Sequence, residues 1–152
     1  MHRRDLLTAS AGLGILAAGA TLAHAKPAAD PKPAAKPDAT AALLAAIAEC
    51  QRTGELCRAH CAKQLADGDK DFAHCNVAVQ AMLATTAATA TVGALGTPQA
   101  KQLVTVCSAV CKECEDACAE HKAHFAHGMH LECRDCMNAC AACEKACTAF
   151  AA

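Results

Sequence analysis

The chain has 152 residues, a formal net charge of −1, 2 % aromatic residues with no Trp and no Tyr, and 13 cysteines. That length suits one domain rather than two, and without a Lys/Arg cluster beyond Arg3-Arg4 the sequence argues against a nucleic-acid partner. So few rings leave the core without its usual large side chains, and cysteine use this high signals a disulfide scaffold or a metal site.

Residues 1–25, MHRRDLLTASAGLGILAAGATLAHA, place an arginine pair before a weakly apolar Ala/Gly-rich run from Leu6 to Ala23. Ala23-His24-Ala25 is a small-x-small cleavage site. The pattern predicts a twin-arginine-like signal peptide. It implies export of an already folded chain, to the periplasm, with no membrane association once the leader is removed. Residues 26–38, KPAADPKPAAKPD, read as a disordered Pro/Ala linker. Export sets up a conflict. Outside the cytosol thiols oxidise to disulfides, yet thirteen is odd, and at least one cysteine cannot pair within the monomer.

Residues 39–152 are predicted to form an all-α domain of four helices. The first runs from Ala39 to Ala66, with Asp38 or Thr40 as its cap, and stops at Asp67-Gly68-Asp69. The second runs from Lys70 to Val92 and ends at Gly93. Thr97-Pro98 opens the third, which continues to Phe125. Gly128 breaks the chain, and the fourth runs from Met129 to Phe150. Val and Ile are sparse and no stretch alternates with period two, so no strand is expected. Short connections predict an antiparallel up-down-up-down four-helix bundle with a Cys-lined core.

On a helical wheel Cys107, Cys111, Cys114 and Cys118 share an arc of roughly 60°, and Cys133, Cys136, Cys140, Cys143 and Cys147 one of roughly 80°. Cys50, Cys57 and Cys61 span about 40°, with Gly54 on the same stripe. The second helix contributes Cys75, and Val79, Met82 and Thr86 continue its line. Charged residues such as Arg58, Lys112, Asp116, Arg134 and Glu144 take the opposite faces, which marks the cysteine stripes as inward.

A core of thiols used merely as small hydrophobes would pack poorly and oxidise after export. A disulfide-stapled helical protein without metal needs only a few bridges between separate elements, whereas these stripes set thiol beside thiol within each helix. A thiol oxidoreductase would carry its C-x2-C at the start of a helix in a βαβ setting, and Cys111/Cys114 and Cys140/Cys143 are mid-helix; no enzyme is expected. Thiolates select Cu(I), Zn(II) or iron–sulfur clusters. Zinc favours C-x2-C knuckles on loops, though Zn(II) sequestration stays open. Iron–sulfur runs of this type end in a proline that is absent here. Cu(I) needs two or three thiolates, which the C-x3-C pairs Cys57/Cys61, Cys107/Cys111, Cys114/Cys118, Cys136/Cys140 and Cys143/Cys147 offer on successive turns.

With its twin-arginine-like leader, four-helix pattern and inward C-x3-C pairs, the sequence resembles the exported branch of the bacterial copper storage proteins over residues 39–150. The resemblance implies a four-helix bundle that stores many Cu(I) ions on cysteine thiolates and assembles as a homotetramer. Its partners would be copper ions and, through them, exported copper enzymes or copper chaperones. Ligand status carries over most directly to the ten paired cysteines. Cys133 extends the fourth stripe. Cys75 stands alone on its helix, and Cys50, with Gly54 in its partner's place, must look to another helix.

Antiparallel topology gathers His60, His74, His121, His124, His127, Met129 and His130 near one end, and Leu43, Ile47, Leu103 and Phe150 near the other. The family's His/Met-rich open end matches the first. By the wheel His121 and Met129 lie inward and are the expected uptake ligands, while His60, His74, His124 and His130 are expected on the surface and Met82 in the core. The Ala/Thr-rich run ATTAATATV gives the second helix a smooth outer face suited to another subunit.

Overall fold

A computed structural model describes residues 38–152; the predicted signal peptide and the linker up to residue 37 lie outside them. The described residues are all helical, with no strand among them: α1 Ala39–Ala66, a 3-10 turn Lys70–Phe72, α2 Ala73–Leu95, α3 Ala100–Ala119, a short α4 Lys122–Phe125 and α5 Leu131–Ala151.

Local signals set most of the boundaries. The Asp38 carboxylate caps α1, accepting from the Thr40 amide at 2.7 Å, which satisfies one of the orphan donors of a helix N-terminus. Asp67-Gly68 ends α1, with Gly68 at φ 96°, a conformation that costs a side chain but not glycine. Asp69 then caps the 3-10 turn through the Asp71 amide at 3.1 Å.

Four expected boundaries move. Gly93 does not end α2. It is buried inside the helix, where a Cβ would come within 3.5 Å of Leu43 Cδ2, and the left-handed terminator is Gly96 at φ 62°. Thr97-Pro98 is a turn ahead of α3, whose first helical residue is Ala100 after the N-cap Gln99; the Ala100 amide donates to the Thr97 carbonyl at 3.0 Å. The third helix does not reach Phe125. It stops at Ala119, and at His121 the backbone leaves helical geometry (φ −91°, ψ 6°) before α4. The fourth helix starts at Leu131 rather than Met129, behind Gly128 (φ 72°) and His130 (φ 53°).

The four long helices pack in cyclic order, α1 on α2, α2 on α3, α3 on α5 and α5 on α1. One end of the molecule joins His60 of α1, Phe72, His121 and His130 in ring contacts. At the other end Leu43 of α1 meets Gly93 of α2, and Lys101 of α3 donates to the Ala151 carbonyl at 3.1 Å. Between them lies one core holding all thirteen cysteines, each fully buried, with Phe72, Leu43, Ile47, Met82, Val79 and Val104 as its largest side chains. Exposed pairs such as Arg52–Glu49, Arg58–Glu55 and Lys112–Asp116 line the outside and add little stability in water.

Candidate metal centre

Every sequence-predicted cysteine points inward because every one sits inside a regular helix, where the 100° turn carries its stripe to the core. The thirteen thiols are free. They gather in five groups whose sulfurs lie within 4.8 Å of one another: Cys57/Cys61/Cys75/Cys133, Cys57/Cys118/Cys136, Cys114/Cys136/Cys140, Cys50/Cys111/Cys143 and Cys107/Cys143/Cys147. Each cysteine belongs to at least one group, and each group draws on at least two helices. Cys57, Cys136 and Cys143 each belong to two.

Three expected pairs, Cys57/Cys61, Cys136/Cys140 and Cys143/Cys147, fall within single groups. Cys107/Cys111 and Cys114/Cys118 instead divide between neighbouring groups. The cross-helix separations explain this: Cys114 meets Cys136 at 3.8 Å, while Cys118 meets Cys75 at 3.5 Å and Cys57 at 3.9 Å. The working unit is therefore a layer across the helices more than a pair along one of them. Cys50, with glycine in its partner's place, faces Cys140 at 3.7 Å and Met82 at 3.3 Å on other helices. Cys75, isolated in sequence, sits in the four-thiol group, 3.4 Å from Cys61 and 3.7 Å from Cys57.

A disulfide ladder gives each sulfur one neighbour, whereas Cys57 alone has four, Cys61, Cys75, Cys118 and Cys133, at 3.7–3.9 Å. Thiols in contact share protons unequally. Cys75 is held well below the ordinary thiol range by hydrogen bonds from Cys118, Cys133, Cys57 and Cys61. Cys118 is pushed up by its contacts with Cys114, Cys133, Cys136 and Cys57 and by burial. Cys147 is pushed up to about 12 by Cys107 and by burial, against a lowering contact with Cys143. A soft cation entering this core would displace those protons, since the thiolate is the ligand.

The histidine-rich end differs from expectation in three ways. His121 is buried at 6 % exposure as predicted, but the wheel gave no hint that its ring stacks on Phe72, with centroids 4.0 Å apart and planes within 4°. Its Nε2 is buried without a hydrogen-bond partner. Met129 is not inward: it precedes α5, where wheel phase has no meaning, and is 45 % exposed. His60 and His130 are not surface residues. They are half-buried, joined by a 3.0 Å hydrogen bond, and both rings meet the edge or face of Phe72. Burial, and the neighbouring His60, hold His130 below the usual imidazole range. His74 and His124 are exposed as expected; His74 pairs with Glu120 at 2.7 Å, which raises its pKa.

Phe72 is the residue that sequence reasoning missed. It is 1 % exposed and central to the rings of His60, His121 and His130. A signal existed, because Phe72, Cys75, Val79, Met82 and Thr86 keep one helical stripe and Phe72 extends it by a turn.

A family model described as Copper storage protein matches residues 36–152. No curated protein matches the chain.

Proposed function

Because the chain belongs to the copper storage protein family, we propose that it stores many Cu(I) ions on its buried thiolates, outside the cytosol. The observation that carries this reading is the set of five overlapping thiol groups, linked through Cys57, Cys136 and Cys143. Cu(I) is soft and accepts two or three thiolates. A sulfur shared by two groups can bridge two ions, so the groups join into a run of three and a run of two, which meet where Cys140 lies 3.7 Å from Cys50. All thirteen cysteines serve as ligands in this reading, the C-x3-C pairs acting across layers as well as along helices. The four long helices are an antiparallel up-down-up-down bundle spanning 39–152, behind a twin-arginine signal peptide and a Pro/Ala linker. The protein is a store, not an enzyme, and copper-requiring exported proteins or chaperones are its recipients.

Assembly as a tetramer fits the outside of α2. An 18-residue stretch within Lys70–Leu95 has a mean hydropathy of 1.3 with 33% of it buried within the chain, which leaves a largely apolar face for a second subunit.

A Zn(II) reading draws on one observation, the four-thiol group Cys57/Cys61/Cys75/Cys133, which has the ligand count of a tetrahedral zinc site. It leaves the other nine cysteines without a role. An anaerobic titration separates the readings. The reduced chain, 26–152, is expected to withhold on the order of ten Cu(I) ions from a coloured chelator, as bridging thiolates allow. After metal removal it is expected to present about thirteen titratable thiols, one per cysteine. Withholding one ion or none, with about one thiol, would point to a disulfide scaffold.

Ions are received at the histidine-rich end. His121 holds a buried imidazole nitrogen without a partner, and Met129 offers an exposed thioether at the rim. Replacing both with Ala is expected to slow stopped-flow copper uptake while leaving capacity nearly unchanged. An unaltered uptake rate would remove both from the route.

A further inference from the structure

We propose that Met82 Sδ is itself a copper ligand, closing with Cys50 a mixed thioether–thiolate site in the middle of the core. This rests on the Cu(I) reading above.

Three observations converge on Met82. First, its sulfur lies 3.3 Å from Cys50 Sγ, which donates to it, closer than any of the thiol–thiol contacts around Cys57, Cys75 and Cys114. A sulfur lone pair therefore already points at the proton that Cu(I) would replace. Second, Cys50 has no thiol four residues on. Gly54 stands there, and a Cβ at Gly54 would lie 2.5 Å from Met82 Cε. The methionine fills the space where the second sulfur of a C-x3-C pair would belong, and it supplies a sulfur from the facing helix. Third, Met82 is fully buried, and on the inner face of α2 it is the only soft donor after Cys75; the rest are Ala78, Val79, Thr86, Thr89 and Gly93.

Packing alone accounts for a buried methionine in an irregular gap. It does not account for the direction of the sulfur, turned to the one α1 thiol that lacks a helical partner. Charge gives the arrangement a purpose. A Cu(I) ion between two thiolates leaves a net negative charge, whereas one between a thiolate and a thioether is neutral. Neutral pairs are far cheaper to hold away from water. With Cys111 and Cys143 in the same group as Cys50, Met82 makes this layer less charged than a purely thiolate one. On α2, whose single cysteine serves another group, a thioether lets that helix join α1, α3 and α5 in holding this layer's copper.

The test reads the sulfur position directly. Whole chain labelled with selenomethionine is loaded anaerobically with Cu(I), and selenium-edge absorption fine structure is compared between the unaltered sequence and M82L. The expected result is a copper neighbour to selenium in the unaltered chain that is lost or sharply reduced in M82L, with capacity down by about one ion. A selenium environment identical in the two chains at equal copper content overturns the proposal and leaves Met82 as packing. A chain that takes up no copper overturns the storage reading, and the proposal falls with it. Should M82L fail to fold, the double variant M129L/M137L carries the same test, because copper next to selenium must then persist from Met82.

Discussion

Phe72→Ala is expected to lower the stability of the metal-free protein by about 3–5 kcal/mol, the usual cost of truncating a buried ring, and to accelerate copper uptake. The size of the first effect follows from the composition of the core. Thirteen of its side chains are cysteine, and Phe72 is the largest fully buried one. Its face packs on His121 at 4.0 Å, and it lies within 5.4 Å of the rings of His60 and His130. Offset and edge contacts of this kind add to the burial of area. The second effect follows from location on the proposed route. Phe72 touches the rings of His60, His121 and His130 and stands one turn ahead of Cys75 on the same stripe, so an ion received at the histidines would pass its edge. Denaturant titration and stopped-flow uptake check the two halves separately. Phe72→Leu should keep most of the bulk, lose the ring stack and fall between the two proteins on both measures. Removing Phe72 and removing His121 are therefore expected to move uptake in opposite directions, a sterically occluding residue against a receiving one. An uptake rate unmoved by Phe72→Ala would place the route elsewhere.

Loading with copper is expected to raise the thermal unfolding midpoint by tens of degrees. The metal-free core is built from small side chains, and cysteine buries less apolar area than the leucine that ordinarily fills such positions. Its intrinsic stability should be correspondingly modest. A ligand that binds the folded chain stabilises it by about 4 kcal/mol per site when its free concentration is a thousand times the dissociation constant. Two such sites already match the roughly 5–15 kcal/mol that holds an ordinary domain together, and at roughly 2–8 °C per kcal/mol the midpoint leaves the usual range. The geometry strengthens the case, since every thiol group spans at least two helices; each ion is a cross-link that an unfolding helix must break. Anaerobic calorimetry of the reduced chain with and without Cu(I), and again after chelation, measures the shift. Equal midpoints would show that metal binds without tying the helices together.

The parts of this molecule that were legible in its sequence are those governed by local codes. α1 has its expected bounds because Asp38 caps one end and Asp67-Gly68 unwinds the other. The cysteine stripes were legible because they lie wholly within regular helices, where position fixes direction. The errors came where tertiary packing decides. Gly93 looks like a helix end, but it is buried on the inner face of α2, which runs on to Leu95 and ends at the left-handed Gly96. The third helix reads as continuous to Phe125, yet the chain turns at His121, whose ring stacks on Phe72 from a different part of the sequence. Met129 and His130 were placed on a wheel that does not extend to them, since Gly128 and His130 both adopt left-handed backbone there. For His, unlike Gly, that conformation is uncommon, and it is the left-handed turn that aims its ring at His60 and Phe72 rather than at solvent.

The sulfurs shared between groups, together with the 3.7 Å contact of Cys140 with Cys50, give the interior the connectivity of a queue. Cys57 joins the layer nearest the histidines to the next, Cys136 carries the sequence on, and Cys143 links the last two groups. With the proposed receiving side chains at one end and Leu43 packed on Gly93 at the other, such a line would fill and empty through one doorway. Ions near Cys107 and Cys147 would then be the earliest to arrive and the last to leave, whatever their individual affinities. Turnover in such a store is governed by order of arrival: a rapidly exchanging pool at the doorway stands in front of a reserve that moves only when its neighbours have gone.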